Sequence, residues 1–171
     1  MAAYVRDGYG AFHQPKFDCG CCKMLIFWVC GVRQSLYAFS LYRNPDLDDW
    51  IVDCLLTSMA AVQAEDVYAS FLFGGHLNGY HQEWLGSTTT KLHGVAAFDF
   101  TTVSGCDQLV VRPTHARGGT PDLLMTDVPD RVKVAAVPNL CAIKKIFLKH
   151  QVSWNTVCGS MQGLPWCAQQ G

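Results

Sequence analysis

The chain has 171 residues, half of them hydrophobic and only 16% charged, with a formal net charge of −1 at pH 7. This length predicts one domain with a sizeable core, and the apolar content excludes an intrinsically disordered protein. A chain so close to neutrality has no global positive field that would draw it to nucleic acid or to an anionic membrane.

The hydrophobic segments are short. The longest apolar run, Met24 to Val32, cannot span a bilayer, and residues 1–7 lack the apolar stretch of a signal peptide. We therefore expect an intracellular protein, nuclear or cytoplasmic, with no membrane partner and with mostly reduced cysteines. The spacing Cys19-Gly20-Cys21-Cys22 has no second cysteine pair to complete a zinc site, and the other six cysteines are spread singly.

The N-terminal quarter of the chain is predicted to be rich in strands. A short strand is expected at residues 2–6, and residues 11–20 are expected to be irregular. The apolar, β-branched and aromatic run at 24–32 predicts a buried strand. A second strand at 36–42 should pair with it as a hairpin.

The clearest predicted helix follows this hairpin. Asn44 suits the N-cap and Pro45 the first turn, and three aspartates crowd the positive end of the helix dipole. Apolar residues then recur at helical spacing, and the helix is expected to end near Glu65. A strand at 70–74 and a loop at 76–86 come next.

The rest of the chain is predicted to alternate in the same way. A helix at 92–103 is expected to end at Gly105 as its C-cap. The remaining predicted segments are a strand at 107–111, a polar loop at 112–119, strands at 122–126 and 131–137, and a basic, helical stretch at 140–150.

Strands that alternate with helices and hairpins predict an α/β fold. Residues 1–137 are expected to form the folded domain. Residues 138–171, after the change in composition at Pro138, are expected to form a tail that is first basic and then irregular.

Polar side chains stand at the end of the fourth predicted strand. Phe71-Leu72-Phe73 runs into Gly74-Gly75 and then presents His76 and Asn78. Residues in this position project at the rim of a sheet, where binding and catalytic groups are often found. The alternative is that both are ordinary turn residues.

Three motifs follow one another in a recognisable order. Tyr42-Arg43-Asn44-Pro45 follows a strand and opens a helix, Gly75-x-x-Asn78 follows the next strand, and Pro113 to Leu124 leads into another. Together they resemble the endonuclease domain of non-LTR retrotransposons of the jockey type, which belongs to the endonuclease/exonuclease/phosphatase family. The resemblance runs through most of residues 1–135 and implies an incomplete two-sheet α/β sandwich.

The resemblance also implies a chemistry. In that family water attacks a DNA phosphodiester in line and a divalent metal such as Mg²⁺ neutralises the developing charge. In retrotransposons the resulting nick primes reverse transcription. The residues that it assigns to the site are Asn78, Asp122 and His76 as catalytic positions, and Tyr42, Arg112, His115 and Arg117 as phosphate or DNA contacts.

Several catalytic groups of the family have no counterpart. His76 stands where the family has the catalytic Asp, no Asp-His dipeptide occurs in the chain, and neither Glu65 nor Glu83 lies in the motif of the metal-binding Glu. We therefore assign no metal ligand and expect Mg²⁺ only if the protein is active. The expected function is that of an impaired endonuclease-like protein.

The competing interpretation is a binding or structural protein on the same scaffold, with weak binding of nucleic acid. DNA is then one expected partner. Because an incomplete sandwich exposes sheet edges, a second copy or another protein is expected to cover them.

Overall fold

The computed structural model of the protein describes residues 10–19, 23–30, 34–44, 51–84, 89–111, 113–114, 120–135 and 145–148. Eight strands, two α-helices and two short 3₁₀ turns make up this part of the chain. In order they are β1 (Gly10–His13), a 3₁₀ turn (Pro15–Phe17), β2 (Lys23–Cys30), β3 (Leu36–Tyr42), α1 (Ile51–Glu65), β4 (Ser70–His76), α2 (Leu92–Ser104), β5 (Asp107–Gln108), β6 (Asp122–Thr126), a 3₁₀ turn (Pro129–Arg131), β7 (Val132–Ala135) and β8 (Lys145–Leu148).

Six of the strands form one mixed sheet in the order β1-β2-β3-β4-β6-β5, and β7 pairs with β8 separately. Among the described strand pairs only β3 and β4 are parallel, and α1 provides the long crossover that parallel neighbours require. The carboxyl ends of β3 and β4 therefore lie side by side. Because β6 runs antiparallel to β4, its first residue lies at the same rim.

Both helices pack on one face of the sheet. Alternate strand residues such as Phe39, Phe73 and Met125 point to this face and join Leu55 of α1 and Phe100 of α2 in the main core. Phe73 is fully buried, with its ring 4.6 Å from that of Phe39 and 5.1 Å from that of Phe100. Burial of each such side chain contributes about 1.5–3 kcal/mol, so this layer is the main source of stability.

The opposite face has a smaller apolar cluster. The strand residues Leu36, Leu72 and Leu124 belong to it, and Val132 at the start of β7 packs with them. By the same alternation, the side chains of Tyr42, His76 and Asp122 project from this second face. The candidate site therefore lies at the rim of the face that the helices leave uncovered.

Most of the predicted elements are confirmed. The α/β class is correct, β2 and β3 form the expected antiparallel pair, α1 ends at Glu65, and Gly105 caps α2 with a φ of 65°. The predicted strand at 2–6 and the first helical position, Pro45, lie outside the described residues.

Three predicted segments differ from the structure. The segment predicted to be irregular at 11–20 is regular in part, because residues 11–13 belong to β1, which pairs with β2, and a 3₁₀ turn follows at Pro15–Phe17. The helix predicted at 140–150 is wrong at residues 145–148, the part of it that the structure describes. Residues Lys145–Leu148 form β8, where an Ile-Phe-Leu run suited to a strand finds a partner in β7. The strand predicted at 107–111 is only the two residues of β5.

The helices and cysteines add two further facts. Neither described helix combines the length and apolar character that a membrane crossing requires. Cys54 on α1 and Cys19 place their sulfur atoms 2.7 Å apart. Two cysteines that are 35 positions apart in the sequence therefore meet where the first 3₁₀ turn packs on α1.

Candidate nucleic-acid site

Four side chains form a row across the rim of the sheet. Strand register places Lys23 of β2 opposite Tyr42 of β3, Tyr42 opposite His76 of β4, and His76 opposite Asp122 of β6. We call these four residues the edge row. Each is in contact with the next, so the row is one continuous set of interactions.

The strongest contact in the edge row joins His76 to Asp122. The Nδ1 atom of His76 lies 2.7 Å from Oδ1 of Asp122. An ionised carboxylate only accepts hydrogen bonds, so Nδ1–H donates and a neutral imidazole keeps its lone pair at Nε2. The Asp122 side chain is 11% exposed and that of His76 is 39% exposed. The buried carboxylate thus fixes the tautomer of a histidine that remains accessible.

Tyr42 and Lys23 complete the row. The rings of Tyr42 and His76 are stacked, with centroids 6.0 Å apart and an interplanar angle of 17°. The Nζ atom of Lys23 lies 5.4 Å from the centroid of the Tyr42 ring, within the range of a cation–π contact. A cation, a phenol and an imidazole therefore stand next to one another at the rim.

Asn78 is held just beyond the end of β4. Its φ is 52°, in the left-handed region that Asn tolerates better than most residues. The backbone N–H groups of Leu77 and Asn78 both donate to the Pro121 carbonyl, and Nδ2 of Asn78 donates to the Arg43 carbonyl at 3.3 Å. These bonds fix both the backbone and the amide of Asn78 beside the edge row.

Arg43 is a residue of this region that sequence reasoning missed. It is only 4% exposed, and its Nη2 lies 2.6 Å from Nε2 of His93 on α2. Because a guanidinium can only donate, Nε2 of His93 must accept. The backbone N–H of Arg43 also donates to the His76 carbonyl. Arg43 therefore links the ends of β3 and β4 to α2.

The sequence contained a signal for Arg43. Strand alternation places it on the same face as Phe39 and Leu41, which is the helix face, so its burial could have been predicted. Within the Tyr42-Arg43-Asn44-Pro45 motif, the resemblance assigned a role to Tyr42 and none to Arg43. Lys23 had no such signal, because its contact with Tyr42 depends on the register of two strands.

The predicted DNA-contacting loop is only partly described. Thr114 accepts a hydrogen bond from the backbone N–H of Asp122 at 3.2 Å, so this end of the loop reaches the edge row. Arg112, His115 and Arg117 lie outside the described residues, and their role as DNA contacts stays a prediction.

The donor set in the described ranges does not fit Mg²⁺. No three His, Cys, Asp or Glu side chains in these ranges are grouped so that they could hold a metal ion. Mg²⁺ prefers carboxylate oxygens, whereas the edge row offers one carboxylate with an oxygen already bonded to an imidazole.

Comparisons with known proteins identify the fold. No protein-family model and no curated protein matches the chain. Among solved structures, the chain is similar to the endonuclease domain of TRAS1, a telomere-specific non-LTR retrotransposon. The TM-score is 0.58 and the sequence identity 17%, over 80% of this chain and 63% of that one. The expected resemblance is thus confirmed at the level of fold, and the chain spans less than two thirds of that domain.

Proposed function

We propose that the protein is a retroelement-derived endonuclease-like protein that binds nucleic acid and is strongly impaired in metal-dependent DNA cleavage. Support for the ancestry comes from the fold shared with a retrotransposon endonuclease domain. The observation that carries the impairment is the bond between His76 and Asp122. An intracellular location, in nucleus or cytoplasm, belongs to the same proposal, because DNA is found there.

The impairment follows from the chemistry of the edge row. Hydrolysis of a phosphodiester develops negative charge, which a divalent cation can neutralise only if anionic ligands hold that cation. His76 offers a neutral nitrogen, or a positive charge when protonated, and it occupies the carboxylate of Asp122. Each ~1.4 kcal/mol of lost transition-state stabilisation slows the reaction about tenfold, so the combined loss amounts to many powers of ten.

We expect the purified protein to leave supercoiled plasmid intact in the presence of Mg²⁺ or Mn²⁺. The measurement is gel electrophoresis over a long incubation, beside a commercial magnesium-dependent nuclease as positive control. The Asn78→Ala variant serves as the matched protein control. Nicking by the wild type that disappears in Asn78→Ala would contradict the proposed impairment and would show that the protein is an active endonuclease.

A second candidate function is a non-enzymatic binding or structural role for the same scaffold. It is favoured by β1, which has β2 as its only neighbour in the sheet as described. Phe12 on this edge strand is 53% exposed and packs against Trp28, with ring centroids 5.8 Å apart and the ring planes tilted by 32°. An unpaired edge beside an exposed aromatic pair is a typical site of association.

We expect the protein to self-associate at micromolar concentration through this edge. Light scattering coupled to size exclusion should give a mass above that of one chain, and Phe12→Ser should shift it toward the monomer because it removes exposed aromatic surface. Val103→Ser, at a still more exposed apolar position on α2, is the control and should leave the mass unchanged. A monomeric wild type would exclude this association.

A further inference from the structure

The edge row contains a positively charged side chain, Lys23, to which the proposed function assigns no role. Lys23 stands directly opposite Tyr42, is exposed, and places its ammonium group 5.4 Å from that ring. Within the described ranges Lys23 forms no ion pair, in contrast to Lys16, which pairs with Glu65. No acidic side chain of the described residues therefore neutralises its charge at the rim.

The neighbours of Lys23 indicate the chemistry of this ligand. The Tyr42 residue is 37% exposed and the His76 side chain 39%, so each ring offers surface beside the ammonium group. The one acidic residue of the row, Asp122, is largely buried and bonded to His76. A positive charge next to exposed rings is the combination that binds single-stranded nucleic acid, in which unpaired bases contact the rings.

We propose that Lys23 is a phosphate-binding residue and that the edge row binds single-stranded nucleic acid, with Lys23 on a backbone phosphate and a base against Tyr42 and His76. This inference rests on the proposed nucleic-acid function and specifies its ligand. Duplex DNA is the weaker ligand, because its bases are stacked on each other and cannot contact the rings.

Salt dependence separates the role of Lys23 from a general loss of affinity. Each phosphate neutralised on a single strand contributes about −0.7 to the slope of log affinity against log salt concentration. Lys23→Ala should therefore make the slope shallower by about 0.7. Tyr42→Leu should keep the slope but weaken binding about five- to 150-fold, the range for one lost base–aromatic stack.

The experiment is fluorescence anisotropy with labelled oligothymidylate over a series of NaCl concentrations, with a duplex of equal length as the second probe. The variants are Lys23→Ala, Lys23→Arg, Tyr42→Leu and Lys91→Ala. Lys91, at the start of α2, is the matched control. Its Nζ also lies near an aromatic ring, 5.0 Å from the centroid of Tyr80, but on the helix side of the sheet. Circular dichroism checks that each variant is folded.

Support requires tighter binding of the single strand than of the duplex, a shallower slope in Lys23→Ala, and slopes like that of the wild type in Lys23→Arg and Lys91→Ala. An unchanged slope in Lys23→Ala, or a preference for duplex, overturns this inference and leaves the proposed function standing. If the wild type binds neither probe, the inference and the nucleic-acid part of the proposed function both fail.

Discussion

Replacing His76 with Asp is expected to make the stability of the protein depend on divalent cations. The change removes the bond to Asp122 and places two carboxylates directly opposite each other in neighbouring strands. A lost hydrogen bond to a charged group costs about 1.5–3 kcal/mol, and like charges at opposed positions add to that cost. A cation bound between the carboxylates would restore part of the lost free energy of unfolding.

The measurement is urea-induced unfolding in EDTA and in increasing concentrations of Mg²⁺ or Mn²⁺. The matched control is His76→Asn, which keeps a side-chain N–H that can donate to Asp122 and adds no charge. We expect His76→Asp alone to be less stable in EDTA and to gain stability as the cation is added. Equal responses of the two variants would show that Asp122 does not face the substituted side chain as described.

His76→Asp, although expected to bind a cation, should not cleave DNA. Two carboxylates can hold an ion, but the chain contains no Asp-His dipeptide, which carries the catalytic histidine in the family that the sequence resembles. The plasmid assay applied to His76→Asp therefore separates metal binding from catalysis. Nicking by this variant, together with a silent wild type, would show that the residue at position 76 alone accounts for the impairment.

The sequence predicted much of the framework because its signals are local. The apolar run of β2, the helical spacing within α1 and the glycine after α2 each indicate an element without knowledge of the rest of the fold. The strand-end position of His76 was predicted in the same way. The predictions failed where the structure of a segment depends on a pairing partner. Residues 145–148, for example, form a strand that pairs with β7.

The contacts of the site could not be predicted in the same way. The resemblance assigned both Asp122 and His76 to the site but did not indicate that they are bonded to each other, although they lie 46 positions apart in the chain. Only the register between β4 and β6 brings these two residues together. The pairing of Lys23 with Tyr42 depends likewise on register, which local composition does not specify.

The geometry of the rim also depends on one glycine. Gly75 lies opposite Leu41 in the parallel pair β3–β4, immediately before the opposed Tyr42 and His76. A Cβ atom at Gly75 would overlap the carbonyl oxygen of Leu41 and would lie 2.6 Å from the carbonyl carbon and 2.9 Å from Cα of that residue. Backbone atoms cannot swing aside as a flexible side chain can, so the two strands would have to separate.

We expect Gly75→Ala to lower the free energy of unfolding by about 3 kcal/mol or more, at the upper end of the range for overpacked positions. Urea titration followed by tryptophan fluorescence measures this loss. In whatever folded protein remains, the Tyr42–His76 stack should be disturbed, and the imidazole NMR signals of His76 should shift.

Gly79→Ala is the matched control for Gly75→Ala. A Cβ atom at Gly79 would lie 3.4 Å from the His93 carbonyl oxygen and 3.5 Å from Cβ of Ala97, which is ordinary van der Waals contact. The same substitution four residues away should therefore cost far less and leave the His76 signals in place. If the two variants lose equal stability, the general cost of replacing a glycine explains both. The close approach of β3 and β4 would then not be what holds the edge row together.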